Sequence, residues 1–338
     1  MAPKKAKRVK AKNQPKLKRD KHVYSSSEVA ATHRKRRRAL GSVLSLAVIG
    51  AVVFFGLQFG ASLWQRITDN PNQYFEQLIG RVSSASSYAY DLERQNVRGV
   101  INGKGVVDSE DFFNPRSSIN YDVATIQEGV SLDADILVIA DQQGIVAANI
   151  TDLEFGQNAP AGANNTGSLT DIWVAVPSSV TAPAQSTITQ LLADIANGSN
   201  SPYGVLPLGN LGPTLTAQFM RGADDIYDIQ RCSFVDFGEV EAVECRVDVD
   251  VNALGENYLA VAQTAGIEGF ELSDTPESFT VFIEKSTNLP LQVSFEDDGV
   301  NSTVTYTSFN SDQNIGQAGA TIPITDYRQR VLLYESNL

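Results

Sequence analysis

The feature that narrows the possibilities most is an uncharged apolar run at residues 39–64, set directly behind five consecutive basic residues, Arg34, Lys35, Arg36, Arg37 and Arg38. A helix rises ~1.5 Å per residue, so these 26 residues would span about 39 Å, against a hydrocarbon core of roughly 30 Å. The run is long enough to cross a bilayer with some tilt. Trp64 and Arg66 close it with an aromatic ring and a cation, the residue types that suit the far interface. The basic flank stays cytoplasmic, so everything after about Gln65 is expected outside the cytoplasm. A cleaved signal peptide has an apolar core of only ~7–15 residues and a brief basic region. The stretch "GASLW" at 60–64 is a weak cleavage candidate, and the segment reads as an uncleaved, single-pass signal anchor. Gly56 and Gly60 match the small-xxx-small pattern of close helix pairs, but glycine is common in membrane helices and a lipid-facing pair is the simpler reading.

The charges fall into two opposed sets. Residues 1–38 hold 15 of the 27 Lys and Arg beside only Asp20 and Glu28, whereas residues 39–338 hold 12 basic and 37 acidic side chains. Residues 1–32 lack apolar clustering and read as a disordered cytoplasmic arm. Such an arm suits anionic lipid headgroups, at ~1 kcal/mol per basic residue near the surface. RNA or ribosome binding is the sharper alternative, and a solvated topology determinant the blander one. The acidic exported part lacks the basic footprint that nucleic acid requires. Domain organisation therefore reads as the arm at 1–38, the membrane segment at 39–64 and one extracytoplasmic domain at 70–338.

Cys232 and Cys245 both lie in the exported part, flanked by the strand-like "DIYDIQRC" and "VECRVDVDV". They are placed to face each other across an antiparallel hairpin in a compartment that permits oxidation. No third thiol or local histidine accompanies them, so a structural disulfide is the expected state.

The stretch "DNPNQYFEQLIGRV" reads as a helix with Asn70 as N-cap and Pro71 in its first turn, and with Phe75, Leu78, Ile79 and Val82 on one face. From about Ser87 the period changes to two, in short segments separated by turn residues, as in an antiparallel meander. Asn102-Gly103 predicts a two-residue hairpin turn. Residues 154–169 read as a flexible surface loop, and 184–197 as a helix with Ile188, Leu191, Leu192 and Ile195 on one face. The apolar segment "YGVLPLGNLGPTLTAQF" is broken by Pro and Gly and suggests a loop that lines or covers an apolar surface. "NALGENYLAVAQTAG" predicts a helix with Leu254, Tyr258, Leu259 and Ala262 packed inward. Three strands follow, in which Phe279, Val281 and Ile283, then Leu291, Val293 and Phe295, alternate with polar residues.

That last region, "FIEKSTNLPLQVSFEDDGVNSTVTYTSF", resembles the C-terminal hairpins of the LolA-like and LppX/LprG-like lipoprotein carriers. The resemblance extends loosely over residues 70–325. It implies an α+β fold, with a curved antiparallel half-barrel sheet packed on a few helices around an apolar cavity for an acyl chain or a lipoprotein's lipid. Two departures stand out: no lipobox cysteine precedes Cys232, and the chain keeps an anchor where soluble carriers lose their signal segment. A tethered domain does not ferry cargo across a wide compartment.

Chemistry is excluded more firmly than binding is identified. The only histidines, His22 and His33, sit in the arm, which leaves the exported part without Ser-His, Cys-His or His-containing zinc constellations. Trp173 is the only tryptophan beyond the membrane boundary, a poor supply for sugar stacking. "DVDVNALGE" fails as a calcium loop, with Ala253 where glycine is required and Leu259 in place of the closing acid. No catalytic residue, metal ligand or cofactor is assigned. The expected function is a membrane-tethered domain that binds lipid, lipoprotein or another apolar ligand, with Ile188, Leu192, Leu206, Leu208, Leu215 and Phe219 as candidate lining. The alternative is a non-catalytic envelope interaction module that meets a protein partner and holds no small ligand.

Overall fold

Period-two alternation over residues 87–155 and 227–309 builds the dominant element of the computed structural model, one open sheet of twelve strands. The structure describes residues 70–127, 130–141, 146–156, 158–176, 188–189, 191–192, 195, 204–267, 275–297 and 299–337. The expected arm and membrane segment lie outside them; among the described residues, no helix is long and apolar enough to cross a membrane.

The first half contributes β1 (Ser87–Asn96), β2 (Gly99–Asp108), β3 (Arg116–Gln127), β4 (Val130–Ala140), β5 (Val146–Phe155) and β6 (Trp173–Val176). The second contributes β7 (Tyr227–Phe237), β8 (Val240–Val249), β9 (Ser278–Glu284), β10 (Pro290–Asp297), β11 (Val300–Phe309) and the short β12 (Thr321–Pro323). Their order across the sheet is β12-β6-β5-β4-β3-β2-β1-β11-β10-β9-β8-β7. Two meanders are thus joined through β1 and β11, and only the β12–β6 pair is parallel. The α+β class and the antiparallel sheet stand as the sequence led us to expect.

Helix α1 (Asn72–Val82) buries Tyr74, Phe75, Leu78, Ile79 and Val82, the expected face with one tyrosine added. The Asn70 side chain accepts the Asn72 amide at 3.1 Å, so the residue expected to cap this helix does so from just outside it. Helix α1 lies on β7, β8 and β9, where Phe75 meets Tyr227 and Phe279 at ring distances of 5.3 and 6.2 Å. Helices α2 (Gly212–Arg221), α3 (Ala223–Ile226) and α4 (Val251–Thr264) pack on one another beside it. Asp250 caps α4 by accepting the amides of Asn252 and Ala253, which explains this acid without any metal.

Several expectations need correction. Asn102 and Gly103 form no turn; they sit inside β2, opposite Glu93 and Leu92 of β1. The β1–β2 turn lies earlier, where the Asn96 carboxamide accepts the amides of Arg98 and Gly99. Leu259 points outward at 41% exposure, while Val261, two residues further along α4, is buried. The C-terminal helix α5 (Ile324–Ser336) was not anticipated, although its buried Ile324, Tyr327, Val331 and Tyr334 repeat at helical spacing. It also orders the supposed surface loop: Tyr327 donates to the Leu169 carbonyl at 2.8 Å, and Tyr334 donates to that of Ala163.

The Cys232–Cys245 disulfide is formed, with the two residues directly opposite in the β7–β8 pair. Residues Asn70–Leu338 make one unit with a continuous hydrophobic core of its own, the condition for folding independently.

Candidate functional site

Register fixes which side chains share the inner face of the sheet. Tyr88, Val107, Ser117, Ala140, Val146 and Val176 stand opposite one another across β1 to β6 and form one row. Tyr90, Gly105, Ile119, Val138, Ala148 and Val174 form the next, and Leu92, Gly103, Tyr121, Ile136 and Ile150 the third. Tyr306 and Val304 of β11 extend the last two rows past β1. The glycines have a packing role here: a Cβ at Gly105 would run into the Tyr90 ring, and one at Gly103 would crowd Tyr121. These strands therefore give up two side chains so that tyrosine rings can lie against the sheet.

Residues 204–211 cross beside the first row as a strap. The Tyr227 hydroxyl donates to the Val205 carbonyl at 2.5 Å. Farther along, the amides of Gly209 and Leu211 donate to the carbonyls of Val82 and Ser83, and that of Asn210 to Ser109. Val205, Leu206, Leu208 and Leu211 are buried. The strap runs into α2, whose Phe219 packs on Tyr258 at 5.2 Å, and Tyr258 stacks on Phe112 at 6.0 Å. Asn257 of α4 donates to the Phe219 carbonyl at 3.0 Å and ties the two helices together.

All six candidate residues belong to one core. Leu206 and Leu208 sit in the strap, Phe219 and Leu215 on α2, and Ile188 and Leu192 at helical positions within 188–195. Five are buried and Leu215 is half-buried. Sequence reasoning did not single out the tyrosines and Ser117 of the inner-face rows, which belong to the same buried interior. The signal was present in "YAY" and "GKG", where bulky and absent side chains alternate at the same period on neighbouring strands.

Among the described residues, the buried polar side chains bring only hydroxyls and one amide into the interior. No Asp, Glu, Lys or Arg is among the buried side chains of the described residues. Burial pushes the phenols of Tyr88 and Tyr227 far above their ordinary range, and Tyr258 is raised likewise, with its Tyr227 and Tyr88 neighbours adding to the effect. At neutral pH these groups are uncharged. Among the described residues, the hydroxyls of Ser117, Thr189 and Ser302 are buried with no hydrogen-bond partner. No group of three His, Cys, Asp or Glu that would hold a metal occurs among them.

Open surface clefts lie elsewhere. One of about 420 Å³ is lined by Phe155, Ala159, Pro160 and Asn164. Another of about 420 Å³ lies between Gly162, Asn165 and Ser168 and the Arg330–Leu333 end of α5. None of the six candidate residues lines either.

No family model matches the sequence. No curated protein matches it either. Solved structures align with the chain, at low TM-scores and low identity. LprF from Mycobacterium bovis aligns at a TM-score of 0.36 and 12% identity, over 72% of this chain and 95% of that one. The lipoprotein LppX from Mycobacterium tuberculosis aligns at 0.28 and 10%, over 73% and 100%. MucB, in a complex with the periplasmic part of MucA, aligns at 0.31 and 12%, over 74% and 60%.

Proposed function

We propose that residues 70–338 form an extracytoplasmic binding domain for lipid or another apolar ligand, tethered by a membrane segment at 39–64 whose basic arm faces the cytoplasm and its anionic headgroups. The sheet, bent around its helices as a half-barrel, would take the ligand between its inner face and the strap. The observation that carries this reading is the seam itself. It is an uncharged face several strands wide, roofed in part by a strap with a handful of hydrogen bonds to the rest. Lifting the roof costs these bonds, each worth ~0.5–1.5 kcal/mol net, together with the burial of Val205, Leu206, Leu208 and Leu211, and a ligand taking their place on the apolar face would restore that burial.

Uptake of a fluorescent fatty-acyl probe from vesicles by the delipidated domain tests the reading. Saturable one-to-one uptake that unlabelled lipid displaces supports it, and absence of uptake at any probe concentration contradicts it. Export reporters fused after residue 65 and before residue 34 test the tether, with activity expected only from the first.

A second reading, an envelope interaction module without a small ligand, draws on two observations. The six candidate residues are close-packed, and Leu332 and Leu333 on α5 are exposed at 43% and 65%.

A further inference from the structure

The inner-face row Tyr88–Val107–Ser117–Ala140–Val146–Val176 has an unusual composition for the floor of a core. Small apolar residues fill it, except for two hydroxyl-bearing side chains set two strands apart, about 10 Å by ordinary strand spacing. Ser117 is 3% exposed, and its hydroxyl has no partner among the described residues. A buried hydroxyl without a partner is unfavourable, and one retained in a native fold calls for an explanation, such as a water or a ligand group that bonds to it. Tyr88 is equally buried, its ring fixed edge-on or tilted against Tyr90, Tyr306 and Phe309 at 6.1–6.2 Å. The strap passes this end of the sheet, since Asn210 bonds to Ser109, the residue that follows β2.

We infer that Ser117, with Tyr88 two strands away in the same row, forms a polar subsite that binds an uncharged hydrogen-bonding group, an ester or a hydroxyl, on an otherwise apolar ligand. This inference rests on the proposed function and specifies what the seam selects. The surroundings set the class of group. With no cation buried among the described residues, a phosphate or carboxylate would enter without compensation. An ester carbonyl accepts from either hydroxyl and carries no charge to desolvate. A pure hydrocarbon leaves Ser117 as unsatisfied as before.

Two probes of equal chain length separate these cases: methyl palmitate, which bears the ester, and hexadecane, which does not. Affinities are measured on the wild-type domain and on Ser117→Ala and Tyr88→Phe variants, each checked for its unliganded thermal midpoint. The midpoint of Ser117→Ala is expected to match or exceed the wild type, because an orphaned hydroxyl has been removed. Methyl palmitate is expected to bind Ser117→Ala about tenfold more weakly, the scale of one hydrogen bond, while hexadecane binds both proteins equally. Tyr88→Phe, which keeps its ring contacts, should show the same selective loss. If both probes bind every variant as they bind wild type, the subsite is wrong and the apolar seam survives. If neither probe binds wild type, the functional reading fails and takes the subsite with it.

Discussion

Tyr227 and Val205 are joined by a buried hydrogen bond of 2.5 Å, between the first strand of the second meander and the strap that leads into α2. The bond holds one end of the strap, while the amides of Gly209, Asn210 and Leu211 hold the other. Tyr227→Phe removes the donor and leaves a buried carbonyl unpaired, at a cost of ~1–3 kcal/mol. Denaturant titration should show that loss. Amide exchange should accelerate over residues 204–211 before it does elsewhere, and uniform acceleration would mean that the strap does not move as a unit.

At the far end, α5 is fastened by Tyr327, which is fully buried and donates to Leu169. Tyr327→Phe is expected to lower stability by ~1–2 kcal/mol in urea while leaving probe binding unchanged, since none of the seam residues lies on α5.

The disulfide closes a loop with a sequence separation of 13. Reduction, or paired Cys→Ser substitution, should cost about 3 kcal/mol by the loop-entropy account without changing the strand content seen by circular dichroism. A loss of strand content would mean that the β7–β8 pair depends on the bond.

Glycines offer a pair of opposite signs. Gly80 lies inside α1 with nothing near its absent Cβ, so Gly80→Ala should raise stability by ~0.5–1 kcal/mol. Gly105→Ala forces a methyl into the Tyr90 ring and should lower it by ~1–3 kcal/mol. Thermal melts of the two variants check both signs.

Buried phenols also set an alkaline limit. The folded-state pKa values of Tyr88, Tyr227, Tyr258 and Tyr327 are raised by burial, so the native state holds protons that the unfolded state releases above about pH 10. Their contribution is fully present below that pH and falls as pH rises toward the folded values, at up to ~1.4 kcal/mol per pH unit for each group. Tyrosinate absorbance should therefore rise in two steps, the second coincident with unfolding.

What the sequence revealed follows from how local each signal is. The α1 face, the cysteine hairpin and the β9–β11 alternation depend on neighbours a few residues apart, and all three were readable. Asn102-Gly103 misled because the dipeptide suits a turn, while Gly103 is needed for Tyr121 on the adjacent strand, a contact set by register. Leu259 was misassigned because two apolar faces of α4 compete, and only the packing against α2 decides between them. The loop at 154–169 was read without α5, whose tyrosines reach it across more than 150 residues. The six candidate lining residues were chosen for their apolar character, and the structure buries five of them in the core. Ser117 was not, because one serine in an alternating strand looks like any solvent-facing position until the register places it inside.

Native mass spectrometry of residues 70–338, exported and purified without detergent, tests the central claim most directly. The account predicts a stoichiometric adduct that organic extraction identifies as an acyl-containing, uncharged-headed lipid, or one that forms on incubation with membrane extract. A bare mass that stays unchanged after that incubation would contradict it and favour the interaction module.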